Sequence, residues 1–111
     1  MSAMDRAPLP SPSEWQVFAC LSRRGPCRFE VLERHLPRLQ RFTIETLLLR
    51  LAEKGYASKR DDSGRFHALV PFEEALQAQI DRFLETFVGG DREACAQVIR
   101  QAEEHWKDLV P

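Results

Sequence analysis

"RFTIETLLLRLAEKGYASKRDDSGRF", residues Arg41–Phe66, changes its hydrophobic period halfway along, and that change decides the fold. Ile44, Leu47, Leu48 and Leu51 recur at the three- and four-residue spacing of a helix laid on a core. Lys54 suits the negative end of that helix, and Gly55 suits the left-handed residue that follows it. Beyond the glycine the period becomes that of strands. "YASKR" and "RFHALV" flank the turn-rich "DDSG", which predicts a β-hairpin.

Upstream, "SPSEWQVFACLSRRG" predicts a helix over Pro12 to Arg24. Ser11 is its cap, Pro12 occupies the first helical position, and Glu14 completes a capping box. Trp15, Phe18, Ala19 and Leu21 are the candidate inward positions, and Gly25 with Pro26 ends the run. Phe29, Leu32 and Leu36 then mark a short second helix stopped by Pro37. Three helices followed by a hairpin is the order of a winged helix-turn-helix, whose third helix enters the DNA major groove while the hairpin, the wing, flanks it on the backbone. The fold class expected is therefore mainly α with a small β-hairpin.

The last third is helical and amphipathic. Leu76, Ile80, Phe83 and Phe87 form a seam like that of a coiled coil, widened by Leu84 and Val88. Gly89 and Gly90 break the chain, Asp91 caps a further helix, and Cys95, Val98, Ile99, Ala102 and Trp106 make a second apolar stripe. A chain of 111 residues supports one modest core, so these faces have little domain left to cover and predict an association surface. Leu76, Ile80, Phe83, Leu84, Phe87, Val98, Ile99, Ala102 and Trp106 are the candidate dimer interface. The expected organisation is a disordered tail over 1–10, a winged helix-turn-helix over 11–71 and a helical dimerisation region over 72–111.

Charge divides along the same line. Residues 1–71 carry 12 lysines and arginines against 8 acids, whereas residues 72–111 carry 4 against 9. Only the front suits a polyanion. If the leucine stripe of the third helix faces inward, Phe42, Glu45, Thr46, Leu49, Arg50 and Glu53 face outward. Of these, Thr46 suits a thymine methyl, Glu45 a cytosine amine, and Arg50 guanine or phosphate. Arg38 and Arg41 before the helix, with Lys59, Arg60 and Arg65 on or beside the wing, are candidate phosphate contacts.

Other chemistries find little support. Cys20, Cys27 and Cys95 are odd in number and unpaired in spacing, which predicts reduced thiols. His35, His67 and His105 lack metal-ligand spacing, and no nucleophile set or glycine-rich phosphate loop appears, so no metal, cofactor or catalysis is expected. "MSAMDRAPLPSP" has no leader pattern and the chain no long apolar run, which predicts a cytoplasmic protein.

"GPCRFEVLERHL", "TIETLLLRLAEKGYASKRDDSGRFHALVP" and "ALQAQIDRFLETFVGG" together resemble the penicillinase-repressor family of winged-helix regulators, from about Ser13 to Ala102. The telling parts are Thr46, Leu47, Leu48, Arg50, Leu51, Lys54 and Gly55, and the break from Phe87 to Gly90. The resemblance implies a homodimeric transcriptional repressor whose C-terminal helices dimerise and whose winged domains bind double-stranded DNA at a palindromic operator. Where the family commonly has Tyr-Thr-Thr-Val at the start of the third helix, this chain has Arg41, Phe42, Thr43 and Ile44. Phe42 thus replaces a threonine, and Thr43 is the remaining one. Glu45 and Glu53 repel phosphate, while Phe42 and Leu49 resemble contact residues for a protein. Two readings follow: a repressor reading DNA through the third helix and wing, and a winged-helix protein-interaction module with weak or no DNA binding. The proteolytic and copper-responsive induction of some relatives does not carry over, since the chain has no asparagine and only Cys95 in the C-terminal region.

Overall fold

The computed structural model describes residues 8–87, 89 and 91–109, the last four of these by backbone alone. In chain order the elements are α1 (Pro12–Arg24), β1 (Cys27–Arg28), α2 (Phe29–His35), α3 (Arg41–Glu53), β2 (Arg65–Phe66), α4 (Phe72–Phe87) and α5 (Arg92–Leu109). The chain divides into two compact units after Leu76, inside α4.

In the first unit, α1 begins with the anticipated capping box. The Ser11 hydroxyl accepts from the Glu14 amide at 3.2 Å, and the Glu14 carboxylate accepts from the Ser11 amide at 3.4 Å. These contacts satisfy two amides that a helix start leaves without partners. The core collects Val17, Phe18 and Leu21 from α1, Phe29 and Leu32 from α2, and Ile44, Leu47, Leu48 and Leu51 from α3. Val17 is fully buried although Trp15 and Ala19 were the positions anticipated beside Phe18. The stripe is centred on Glu14, Val17, Phe18 and Leu21, which places Trp15 and Ala19 at its half-buried margins. Tyr56 closes the core, its ring edge-on to Phe18 at 5.5 Å. The first turn of α4 belongs to this core as well: Phe72 lies 5.5 Å from Trp15, and Ala75 is buried.

Strand β1 was not anticipated. Two residues are too few to show a period, yet Cys27 pairs with Phe66 and Arg28 with Arg65 in antiparallel register. The wing itself is irregular. Ala57 bridges Ala68, the Ser58 amide donates to the His67 carbonyl at 2.8 Å, and the Leu69 amide donates to the Tyr56 carbonyl at 2.9 Å. At the tip, the Asp61 carboxylate accepts from the amides of Ser63 at 2.9 Å and Arg65 at 2.8 Å, and meets His67 Nε2 at 2.5 Å. The His67 contact, then Ser63 and the Arg65 amide, hold the Asp61 carboxyl well below the usual carboxylate range.

One ion pair joins the ends of α1 and α3. Lys54 Nζ donates to both Glu14 carboxylate oxygens, at 2.5 and 3.1 Å, and to the Leu9 carbonyl at 3.1 Å. Burial pushes the Glu14 carboxyl up, but Lys54 and Ser11 more than offset this and leave it lowered. Leu9 packs against the core and Pro10 is buried, so this core draws on residues of the 1–10 stretch as well. Residues 1–7 of that stretch lie outside the described residues.

The second unit holds α4 beyond Leu76 and α5. Asp91 caps α5 as anticipated, accepting from the Ala94 amide at 3.0 Å. Arg92 and Asp81 form an exposed ion pair at 3.6 Å.

Candidate nucleic-acid interface

The leucine stripe of α3 is buried, and this fixes which residues face out. Phe42 and Leu49 are 76% and 62% exposed, Glu45, Arg50 and Glu53 are also exposed, and Thr43 and Thr46 are half-buried. The outward set expected from helical spacing is therefore the one the fold presents. Thr46 donates its hydroxyl proton to the Phe42 carbonyl at 3.0 Å, one turn back. Arg41 lies 3.8 Å from Glu45, one turn on, while its guanidinium sits over the Phe29 ring at 5.3 Å, so both side chains are engaged within the chain.

Arg50 stands on this face, and Lys59 and Arg60 line a cleft with Glu45 and Leu49. Arg38, Arg50, Lys59, Arg60 and Arg65 are exposed, and none has a carboxylate within ion-pair distance among the described residues. Arg60 rests over the Phe66 ring at 5.7 Å. The β1–β2 pairing adds Arg28, which sequence spacing did not single out. Arg28 stands directly opposite Arg65 and both are exposed, so two like charges share one face of the ladder. Such a pair costs stability unless an anion lies over it. Only the tertiary pairing reveals it, because the two arginines are far apart in the chain. Of the two acids at the wing tip, Asp61 is engaged by His67 and the turn amides, and Asp62 is exposed.

Between α3 and the wing lies a cleft of about 320 Å³, floored by Phe29, Leu48, Ala52 and Phe66, with Lys59 and Arg60 among its walls. No group of three or more histidine, cysteine or acidic side chains among the described residues is placed to hold a metal ion. No described helix is long and apolar enough to cross a membrane.

In the second unit, Ile80, Phe83, Phe87, Val98 and Ile99 expose between 38% and 74% of their surface, as Leu76 does in the first, while Ala102 is half-buried. Phe83 and Phe87 pack on one another at 5.1 Å between ring centroids. Leu84, anticipated on the same seam, is 6% exposed and thus already covered within one chain. The Trp106 side chain, Val88 and Gly90 lie outside the described residues.

The sequence profile of the penicillinase repressor family matches residues 10–109. Among solved structures, a transcriptional regulator from Thermotoga maritima has a similar fold, with a TM-score of 0.51 and 20% identity over 90% of this chain and 76% of that one. No curated protein matches the chain.

Proposed function

We propose, from the premise that the chain belongs to the penicillinase repressor family of transcriptional regulators, that it is a homodimeric repressor binding a palindromic operator through α3 and the wing. The observation that carries this reading is the set of exposed cations without carboxylate partners on α3, the turn before it, the strands and the wing, the Arg28–Arg65 pair above all. Phosphates would supply the missing counter-charge and position the protein, while the outward residues of α3 meet base edges. In this reading residues 11–71 bind DNA, and the exposed apolar faces of 72–111 associate with a second copy. A dimer then needs half-sites about 10 to 10.5 base pairs apart, or a multiple of that spacing.

A polarisation titration of labelled duplex at several salt concentrations tests the proposal. With about three phosphate contacts per subunit, each contributing about −0.9, log affinity falls against log salt with a slope near −5. Arg28→Ala and Arg65→Ala should each flatten that slope without altering sequence preference. Absence of salt-sensitive binding to any duplex at low salt would overturn the reading.

The exposure of Phe42 and Leu49 favours a second reading, in which α3 meets an apolar surface of another protein. Under that reading Phe42→Ala abolishes capture of a protein partner, and the arginine variants bind that partner normally.

A further inference from the structure

The outer ridge of α3 is apolar where base readers are usually polar, and the polar groups of Glu45 and Thr46 beside it are already engaged. Phe42, Thr46 and Leu49 stand at i, i+4 and i+7 on one face. Phe42 and Leu49 are 76% and 62% exposed, so no described part of this chain covers them. The Thr46 hydroxyl has given its proton to the Phe42 carbonyl, so its oxygen can only accept and its methyl is the remaining contact group. Glu45, the neighbouring polar side chain, is drawn to Arg41. A ring, a methyl and an isobutyl group therefore form the ridge, with Arg50 beside Leu49 on the helix and Lys59 and Arg60 lining a cleft with Leu49, none of the three having a carboxylate partner among the described residues.

A surface that is apolar along its crest and cationic along its flanks complements one feature of duplex DNA: thymine 5-methyl groups in the major groove, bordered by phosphates. We infer that α3 selects its operator through thymine methyls rather than through hydrogen bonds to base edges, with Phe42 and Leu49 as the specificity-determining contacts. This rests on the DNA-binding reading above. From Phe42 to Leu49 the helix rises about 10 Å, close to three base-pair steps, so each half-site holds a short run of adjacent thymine methyls on either strand.

Uracil keeps every hydrogen-bonding atom of thymine and lacks only the methyl, which makes it the probe. A random duplex library is first enriched on the full-length chain, and the selected site is resynthesised with deoxyuridine at each thymine in turn. At one to three positions per half-site the affinity should fall about fourfold per methyl, the factor expected for uncovering one such group. Phe42→Ala and Leu49→Ala, both at exposed positions that leave the core intact, should lose that thymine-over-uracil preference at distinct positions while keeping the salt slope. If an enriched site binds equally well with uracil throughout, the methyl inference fails and the DNA-binding reading stands. It fails likewise if the preference survives in both variants, since it would then arise from duplex shape. If no duplex is enriched at all, the DNA-binding reading fails and this inference falls with it.

Discussion

Replacing Lys54 with methionine isolates the contact that joins α1 to α3. Glu14 is 2% exposed and receives two hydrogen bonds from Lys54 Nζ. Methionine keeps most of the apolar stem of Lys54 but leaves the carboxylate buried with Ser11 as its remaining partner. Breaking one side of a buried pair costs about 3–5 kcal/mol, and because the Lys54 side chain is 24% exposed the lower end, about 3 kcal/mol, applies. Glu14→Gln should cost less, about 1–2 kcal/mol, since the amide oxygen still accepts from Ser11 and the exposed side of the ammonium takes up water. Removing both charges together should recover part of the Lys54→Met loss. Acidity supplies the sharper readout. In the native chain the Glu14 carboxyl lies below its usual 4.5, so it adds stability above that value, and this stability is lost as pH falls through the folded value. In Lys54→Met burial acts without its main opponent and raises the carboxyl, so its contribution reverses sign: the variant should regain stability as pH falls toward 4.5. Urea denaturation of both proteins between pH 4 and pH 7 measures the difference. A loss below about 1 kcal/mol, with parallel pH profiles, would refute the buried pair.

Gly55 has φ of 82° with open space where a Cβ would stand, so Gly55→Ala should destabilise by about 1–2 kcal/mol through backbone strain alone, measured by urea midpoint. Asp61→Ala should speed hydrogen exchange at the Ser63 and Arg65 amides, and Asp61→Asn should protect them better, because its side-chain oxygen still accepts. Mild acid should leave these amides protected, since the Asp61 carboxyl stays ionised well below the usual carboxylate range. For the proposed dimer, Ile80→Glu or Phe83→Glu would place an unpaired charge in an apolar seam, so sedimentation at micromolar concentration should show monomer where the native chain shows dimer.

What could be read from the residues alone is what neighbouring residues decide together. The start of α1 at Ser11, its stop at Gly25, the leucine stripe of α3 and the cap at Asp91 each rest on groups within about one or two helical turns, and each stands where the pattern placed it. The outward set on α3 was legible for the same reason: once four leucine-type positions are inward, helical geometry assigns the rest. The membership of Val17 in the core was missed because Trp15 and Ala19 offer a competing apolar phase, and only packing against α3 and the wing selects between the two.

Contacts between distant residues were not legible, and they carry much of the chemistry. Glu14 read as a capping residue and Lys54 as a helix-end charge; that they pair across 40 positions follows from how α1 lies against α3. Arg28 drew no reading from sequence spacing, and only the β1–β2 register sets it opposite Arg65. Leu84 read as part of an outer seam, yet the single chain already covers it. The sequence by itself determined the elements, their caps and their apolar faces, because those depend on side chains a few ångströms apart along the backbone. Tertiary structure alone decided which charges are neutralised within the chain and which are left exposed without a carboxylate partner, because Coulomb attraction and burial depend on distance in space and hardly at all on distance in sequence.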